Sequence, residues 1–199
     1  MLMEKYDCAV REVMDRVRET QRENIEKAAD MIVKAVKDGG GIHVYDTGHI
    51  IDSELVDRAG GLALLRRLRY TFEVSSTART IDRRGIVDNK EGLAGYALRA
   101  SKAAPGDVLI IGSVSGKTVP VVDMAIEAHK LGITIIAVTS VSYSSSVSSD
   151  HSCKKRLFEI ADLVIDNCSS PSTESMASPG QEQLSITRSA ISKRRFLQL

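Results

Sequence analysis

The chain has no tryptophan, and tyrosine and phenylalanine bring its aromatic content to only 4%. Proteins that hold single-stranded nucleic acid stack its bases on aromatic rings, and this composition offers no such platform. Neither charge dominates: 27 basic residues face 26 acidic ones, for a formal net charge of +1. A long-range field that would draw the chain to nucleic acid or to an anionic membrane is therefore missing. No apolar run approaches the ~20 residues of a membrane span, and residues 1–15 lack the apolar core of a secretory leader. Cys8, Cys153 and Cys168 are odd in number and show no CxxC spacing, so neither a disulfide frame nor a zinc knuckle is indicated. These absences together predict a soluble cytoplasmic protein with reduced thiols and no nucleic-acid or membrane partner. Internal repeats at solenoid periods are also absent.

What the chain does have is an ordinary globular composition, 43% hydrophobic over 199 residues, enough for one domain with a substantial core. Its most informative stretch is 106–140, GDVLIIGSVSGKTVPVVDMAIEAHKLGITIIAVTS. Apolar β-branched runs at 108–111 and 133–138 flank an amphipathic helix carrying Val121, Val122, Ala125, Ile126 and Leu131, with Gly132 as its stop. That pattern predicts a βαβ unit whose strands are buried on both faces. The Ser/Gly loop between the first strand and the helix then lies at the carboxyl end of a parallel strand, where open α/β sheets bind ligands. Backbone N–H groups at the helix start, the hydroxyls of Ser113, Ser115 and Thr118, and Lys117 suit an anion such as phosphate. Ser115-Gly116-Lys117-Thr118 imitates the end of a nucleotide P-loop. That motif requires a glycine at position 111, which is Ile111, and Gly112 is one residue too close.

Residues 2–38 form a strong helical pattern, with Val10, Val13, Met14 and Val17, then Ile25, Ala28, Ala29, Ile32 and Val36 on one face. The stripe lapses at 18–24, leaving open one long helix or two, and Gly39-Gly40-Gly41 ends it. A short strand is predicted at 42–45 and a helix at 50–58. Strand-like segments follow at 62–65 and 71–74, separated by the basic Arg66-Arg67-Leu68-Arg69. Residues 77–89 read as a polar loop whose Arg79, Arg83 and Arg84 form a solvated face or reach an anion. A helix is predicted at 91–103, a Ser-rich loop at 142–149, a short helix at 150–160 and a last strand at 163–165. Residues 169–180 are Ser/Pro-rich without periodicity and predict a segment disordered or laid loosely on the surface, while 184–199, with scattered apolar residues and the basic Lys193-Arg194-Arg195, leaves a further helix open.

Four loops agree in order with one family. Thr47-Gly48-His49 after the first strand, Arg58-Ala59-Gly60-Gly61-Leu62, the Ser-x-Ser-Gly of 113–116, and Asp150-His151-Ser152-x-Lys154 resemble sugar isomerase (SIS) domain proteins, nearest the phosphoheptose isomerase-like bacterial branch. The resemblance covers roughly residues 4–167. It implies a doubly wound three-layer α/β/α sandwich with a mainly parallel five-stranded sheet in flavodoxin-like order, preceded by a helical segment. On this view residues 1–168 are the SIS domain and 169–199 the tail. It further implies a homo-oligomer, dimer or tetramer, and a phosphorylated sugar held at the sheet's carboxyl edge by Gly48, Ser113, Ser115, Gly116, Lys117, Thr118, Ser140 and Ser152. No cofactor is implied.

Aldose–ketose isomerisation needs a base to move a proton between adjacent carbons and an acid to move the hydroxyl proton. His49, with a pKa suited to either role, Glu54 one turn further on, and His151 are the catalytic candidates. His151 is expected near a subunit boundary. His43 on the first strand and His129 on the central helix are expected to be structural, and Glu91 to complement a helix dipole. No ligand pair has metal-binding spacing, so no metal is predicted. The family's first turn commonly continues Ser-His where this chain has Ile50-Ile51, which keeps open a second function, a phosphosugar-binding module without catalysis.

Overall fold

The computed structural model describes residues 2–47, 55–56, 59–73 and 90–169. Their organising element is a five-stranded, all-parallel sheet: β1 (Ile42–Asp46), β2 (Leu65–Arg67), β3 (Val108–Gly112), β4 (Thr134–Thr139) and β5 (Leu163–Asp166). The spatial order is β2-β1-β3-β4-β5, the doubly wound arrangement with its reversal between β1 and β3. Helices among the described residues include α1 (Leu2–Lys37), α2 (Leu93–Ala100), α3 (Val119–Lys130) and the single turn α4 (Val141–Ser145); a 3-10 turn occupies Leu157–Glu159.

The period of two along each strand divides the interior into two cores. Ile42, Val44, Val108, Ile110, Ile136 and Val138 face α1, where Ala28 and Ala35 are buried and Ile25, Ile32 and Val36 pack beside them. Leu109, Ile111, Ile135 and Ala137 face α2 and α3, against Leu98, Val121 and Met124. β3 is buried along its whole length, as its continuous apolar run predicts for a central parallel strand.

α1 is one continuous helix of 36 residues, which resolves the alternative left open by the gap in its stripe. It ends in a Schellman motif: Gly39 N–H donates to Val36 C=O at 3.1 Å and Gly40 N–H to Ala35 C=O at 2.8 Å, with Gly39 at φ 82°. Gly40 allows close approach of the turn that precedes β3, because a Cβ there would meet Gly106 O at 2.8 Å.

Three local expectations are corrected. The second strand is Leu65–Arg67, so Arg66 and Arg67, expected to separate two strands, belong to one, and residues 62–64 and 71–73 carry no regular structure. As an edge strand it pairs only with β1, leaving a side where exposed cations are tolerated. The Ser-rich loop contains α4, because Ser140 Oγ accepts Tyr143 N–H at 3.2 Å and caps that turn. Only three residues of the helix expected at 150–160 form a helical turn, the 3-10 segment. Within 150–156, Asp150 N–H, Ser152 and Arg156 also bond to the separate segments at Lys117, Glu91 and Ser144. Of the helix expected at 50–58 only Leu55, which is helical, and Val56 are described; the loop at 77–89 and the tail from 170 lie outside the described residues. No helix among the described residues is long and apolar enough to cross a membrane.

Candidate functional site

The loop 113–118 leaves β3 at the carboxyl edge and feeds α3. Three consecutive carbonyls are taken up by later segments. Ser115 C=O accepts Ser144 Oγ–H at 2.6 Å, Gly116 C=O accepts Leu157 N–H at 2.8 Å, and Lys117 C=O accepts Asp150 N–H at 2.9 Å. In a trans peptide the N–H points opposite to the C=O of the same unit. The N–H groups of Lys117 and Thr118 are therefore turned away from those contacts, as in backbone nests that hold anions. Gly116 N–H is used internally, donating to the buried Ser113 Oγ at 3.2 Å. Gly116 has φ 58°, and a Cβ there would meet Leu157 Cβ at 2.9 Å; conformation and space both require glycine.

Thr118 is the N-cap of α3, yet its side chain makes no capping hydrogen bond. Its Oγ1 is buried and lacks any hydrogen-bond partner, the one such side-chain atom among the described residues. Buried hydroxyls are normally satisfied, which marks this atom as an exception. The partial positive charge of the α3 terminus is added to by Lys117, whose Nζ lies 3.5 Å from Asp150 Oδ2 with both side chains well exposed.

Beside this loop is a polar cluster under the α2/α3 layer. Asp123, buried on the second turn of α3, accepts Gly92 N–H and Ala94 N–H at 3.0 Å and so caps α2. Glu91 accepts Ser152 N–H and Ser152 Oγ–H, both at 2.7 Å. These two bonds hold its carboxyl below the usual carboxylate range. The buried His151 accepts Cys153 N–H at its Nδ1, at 3.1 Å, which assigns the ring proton to Nε2. The ring lies between Glu91, 3.7 Å from Nδ1, and Asp123, 3.8 Å from Nε2. Tyr45 and Tyr70 stack with centroids 6.2 Å apart. Burial, then the charge and hydroxyl contact of Tyr70, push the Tyr45 phenol well above its ordinary range.

The residues expected at the site thus fall into three groups. Ser113, Ser115, Gly116, Lys117 and Thr118 form one loop. His151 and Ser152 lie in the segment joined to it through Asp150. Ser140 caps α4 and donates to Ser169 C=O. Gly48, His49 and Glu54, with Ile50 and Ile51, lie outside the described residues. His43 and His129 are paired with Asp107 at 2.8 Å and Asp162 at 3.0 Å, in keeping with structural roles. Glu91 does more than complement a dipole: it holds Ser152 in place. Asp123 was not anticipated. Its signal is a carboxylate set inside the apolar run Val121, Val122, Met124, Ala125, where a buried charge needs partners. No group of three His, Cys, Asp or Glu residues that could hold a metal occurs among the described residues.

The SIS domain family model matches residues 5–140. Among curated proteins, the chain is 37% identical over 171 residues to the UPF0309 protein of Shouchella clausii, covering 85% of this chain and 69% of that one. It is 36% identical over 157 residues to the UPF0309 protein of Halalkalibacterium halodurans, covering 78% of this chain and 64% of that one. The chain therefore spans about two thirds of the length of these relatives. Among solved structures, it is similar to phosphoheptose isomerases from Neisseria gonorrhoeae and Francisella tularensis. The first has a TM-score of 0.58 at 15% identity, over 96% of this chain and 95% of that one. The second has a TM-score of 0.56 at 16% identity, over 96% and 91%. At such identity the likeness establishes the fold.

Proposed function

The chain belongs to the SIS domain family, and from that membership we propose that it binds a phosphorylated sugar at the 113–118 loop and interconverts its aldose and ketose forms. The observation that carries the binding half is the partnerless buried Oγ1 of Thr118, beside two outward N–H groups at the start of α3. A phosphate accepts from hydroxyl and N–H alike, and bonds to a charged acceptor are stronger than neutral ones. Ser113, Ser115, Gly116 and Lys117 complete the proposed phosphate contacts, with Gly48, Ser140 and Ser152 as further candidates for holding the ligand. The proton transfers fall to His49 and Glu54, with His151 as the third candidate. These transfers are acid–base steps of a kind that His and Glu side chains carry out.

A second reading, a phosphosugar-binding module without turnover, draws support from the polar cluster. Among the described residues, His151 Nδ1 and both Glu91 oxygens are already engaged internally, leaving little free acid–base capacity on that side. The test is a panel of aldose and ketose phosphates with their unphosphorylated sugars as controls. Ligands that bind the native state raise the melting temperature. Stabilisation by a phosphorylated sugar alone, with isomer formation detected by NMR, is the expected result. Stabilisation without isomer formation selects the binding module, and no stabilisation at millimolar ligand defeats both readings.

A further inference from the structure

At the opposite, amino edge of the sheet a cleft of about 450 Å³ opens between the starts of β1 and β3, the edge strand β2 and the end of α2. Gly41, His43, Arg66, Arg67, Lys102 and Asp107 line it, with Leu68 as its apolar wall. Two of its lining cations, Arg66 and Lys102, lie with the single carboxylate of Asp107. Asp107 already spends most of its acceptor capacity inside the fold. It is buried and accepts Gly41 N–H at 2.7 Å, Ala104 N–H at 2.8 Å and His43 Nε2–H at 2.8 Å. The same bond fixes the His43 ring and leaves Nδ1 as its second polar atom. Arg66 pairs in register with His43 across the parallel ladder, so both side chains start from one face of the sheet. Neither Arg66 nor Lys102 has an acidic partner among the described residues.

We propose that this cleft is a second anion site, for a small molecule carrying a phosphate group, separate from the sugar site at the carboxyl edge. Like charges gathered on a concave surface repel one another, and an anion relieves that repulsion. A guanidinium fork with a nearby ammonium is a standard means of holding phosphate. The imidazole, held rigidly by Asp107, adds a polar contact, and Leu68 receives an apolar part of the ligand. The volume falls in the ~300–1,000 Å³ range of small-molecule sites and exceeds what inorganic phosphate alone would fill. The site stands independently of the carboxyl-edge reading, because the two share no residue.

The test is an amide-resolved NMR titration of the full chain with inorganic phosphate at constant ionic strength. The expected result is a saturable shift of the Gly41, Lys102 and Ala104 amides that weakens at least tenfold in Arg66→Gln/Lys102→Gln. Ser115→Ala should leave this response unchanged. Lys102→Gln alone, at an exposed position after α2, keeps the test valid should the double variant fold poorly, and it should weaken the response several-fold. The proposal is overturned if those amides do not move at tens of millimolar phosphate, or move equally in wild type and variants. It is also overturned if the double variant aggregates with its phosphate response intact, because the cations would then serve to guard an exposed strand edge.

Discussion

At Thr118, stability and binding are set against each other. Its buried hydroxyl has no partner inside the chain, so Thr118→Val removes an unsatisfied group and leaves the methyl volume in place. Unsatisfied buried polar groups cost roughly 1–3 kcal/mol. The variant should therefore be as stable as wild type or up to ~1 kcal/mol more stable, by urea titration. Its affinity for a sugar phosphate should fall about ten- to a hundredfold, because a hydrogen bond to a charged group contributes about 1.5–3 kcal/mol. A loss of stability would mean that the hydroxyl has an internal role. Ser115→Ala should weaken binding similarly, whereas Lys117→Ala should weaken it less and mainly at low salt, its exposed charge being screened. The residues of this loop were legible in sequence because small polar residues between a buried strand and a helix have few other uses. Asp123 and the Glu91–Ser152 pair were not legible: their partners are 29 to 61 positions away, and only the fold brings them together.

At the scale of elements, the loop's shape rests on Gly116. Gly116→Ala places a Cβ against Leu157 and demands a left-handed conformation, together costing about 2–4 kcal/mol. A urea midpoint equal to wild type would show that the loop rearranges freely and is not preorganised. Asp107 joins the starts of β1 and β3. Burial opposes its ionisation, but the N–H groups of Gly41 and Ala104 and the His43 ring outweigh burial and hold its pKa below the ordinary value. A depressed carboxylate stabilises the fold fully above its unfolded pKa, near 3.9, and loses that contribution as pH falls through the folded value. Melting temperatures of wild type and Asp107→Asn should thus differ at pH 7 and converge below about pH 4; parallel curves would contradict the linkage. β3, β4 and α3 were legible because their period and burial agree. β2 was misplaced because an edge strand with consecutive arginines carries no alternation. α4 was missed because a single turn depends on one cap, Ser140, and has no apolar stripe.

At the scale of the whole molecule, α1 is about 54 Å long by its rise per residue. Its second half packs on the sheet, anchored where Asp166 N–H donates to Gln21 Oε1 at 3.0 Å. The first half carries Met3, Tyr6, Val10, Val13 and Val17 at alternating spacings of three and four, the pattern of a helix-pairing seam, and Met3 is 82% exposed. A homodimer with this seam buried is the expected assembly. Light scattering at tens of micromolar should give twice the chain mass, and Val10→Glu/Val13→Glu should give a monomer. A monomeric wild type would remove the dimer. The layered parallel sheet was legible from the βαβ unit. The joining of the loops was not, because it depends on carbonyls that sequence does not orient. The most direct test of the central claim is a crystal structure of the chain soaked with a sugar phosphate. The phosphate should lie within hydrogen-bond distance of Thr118 Oγ1 and the N–H groups of Lys117 and Thr118. Phosphate density elsewhere, with that loop empty, would contradict it.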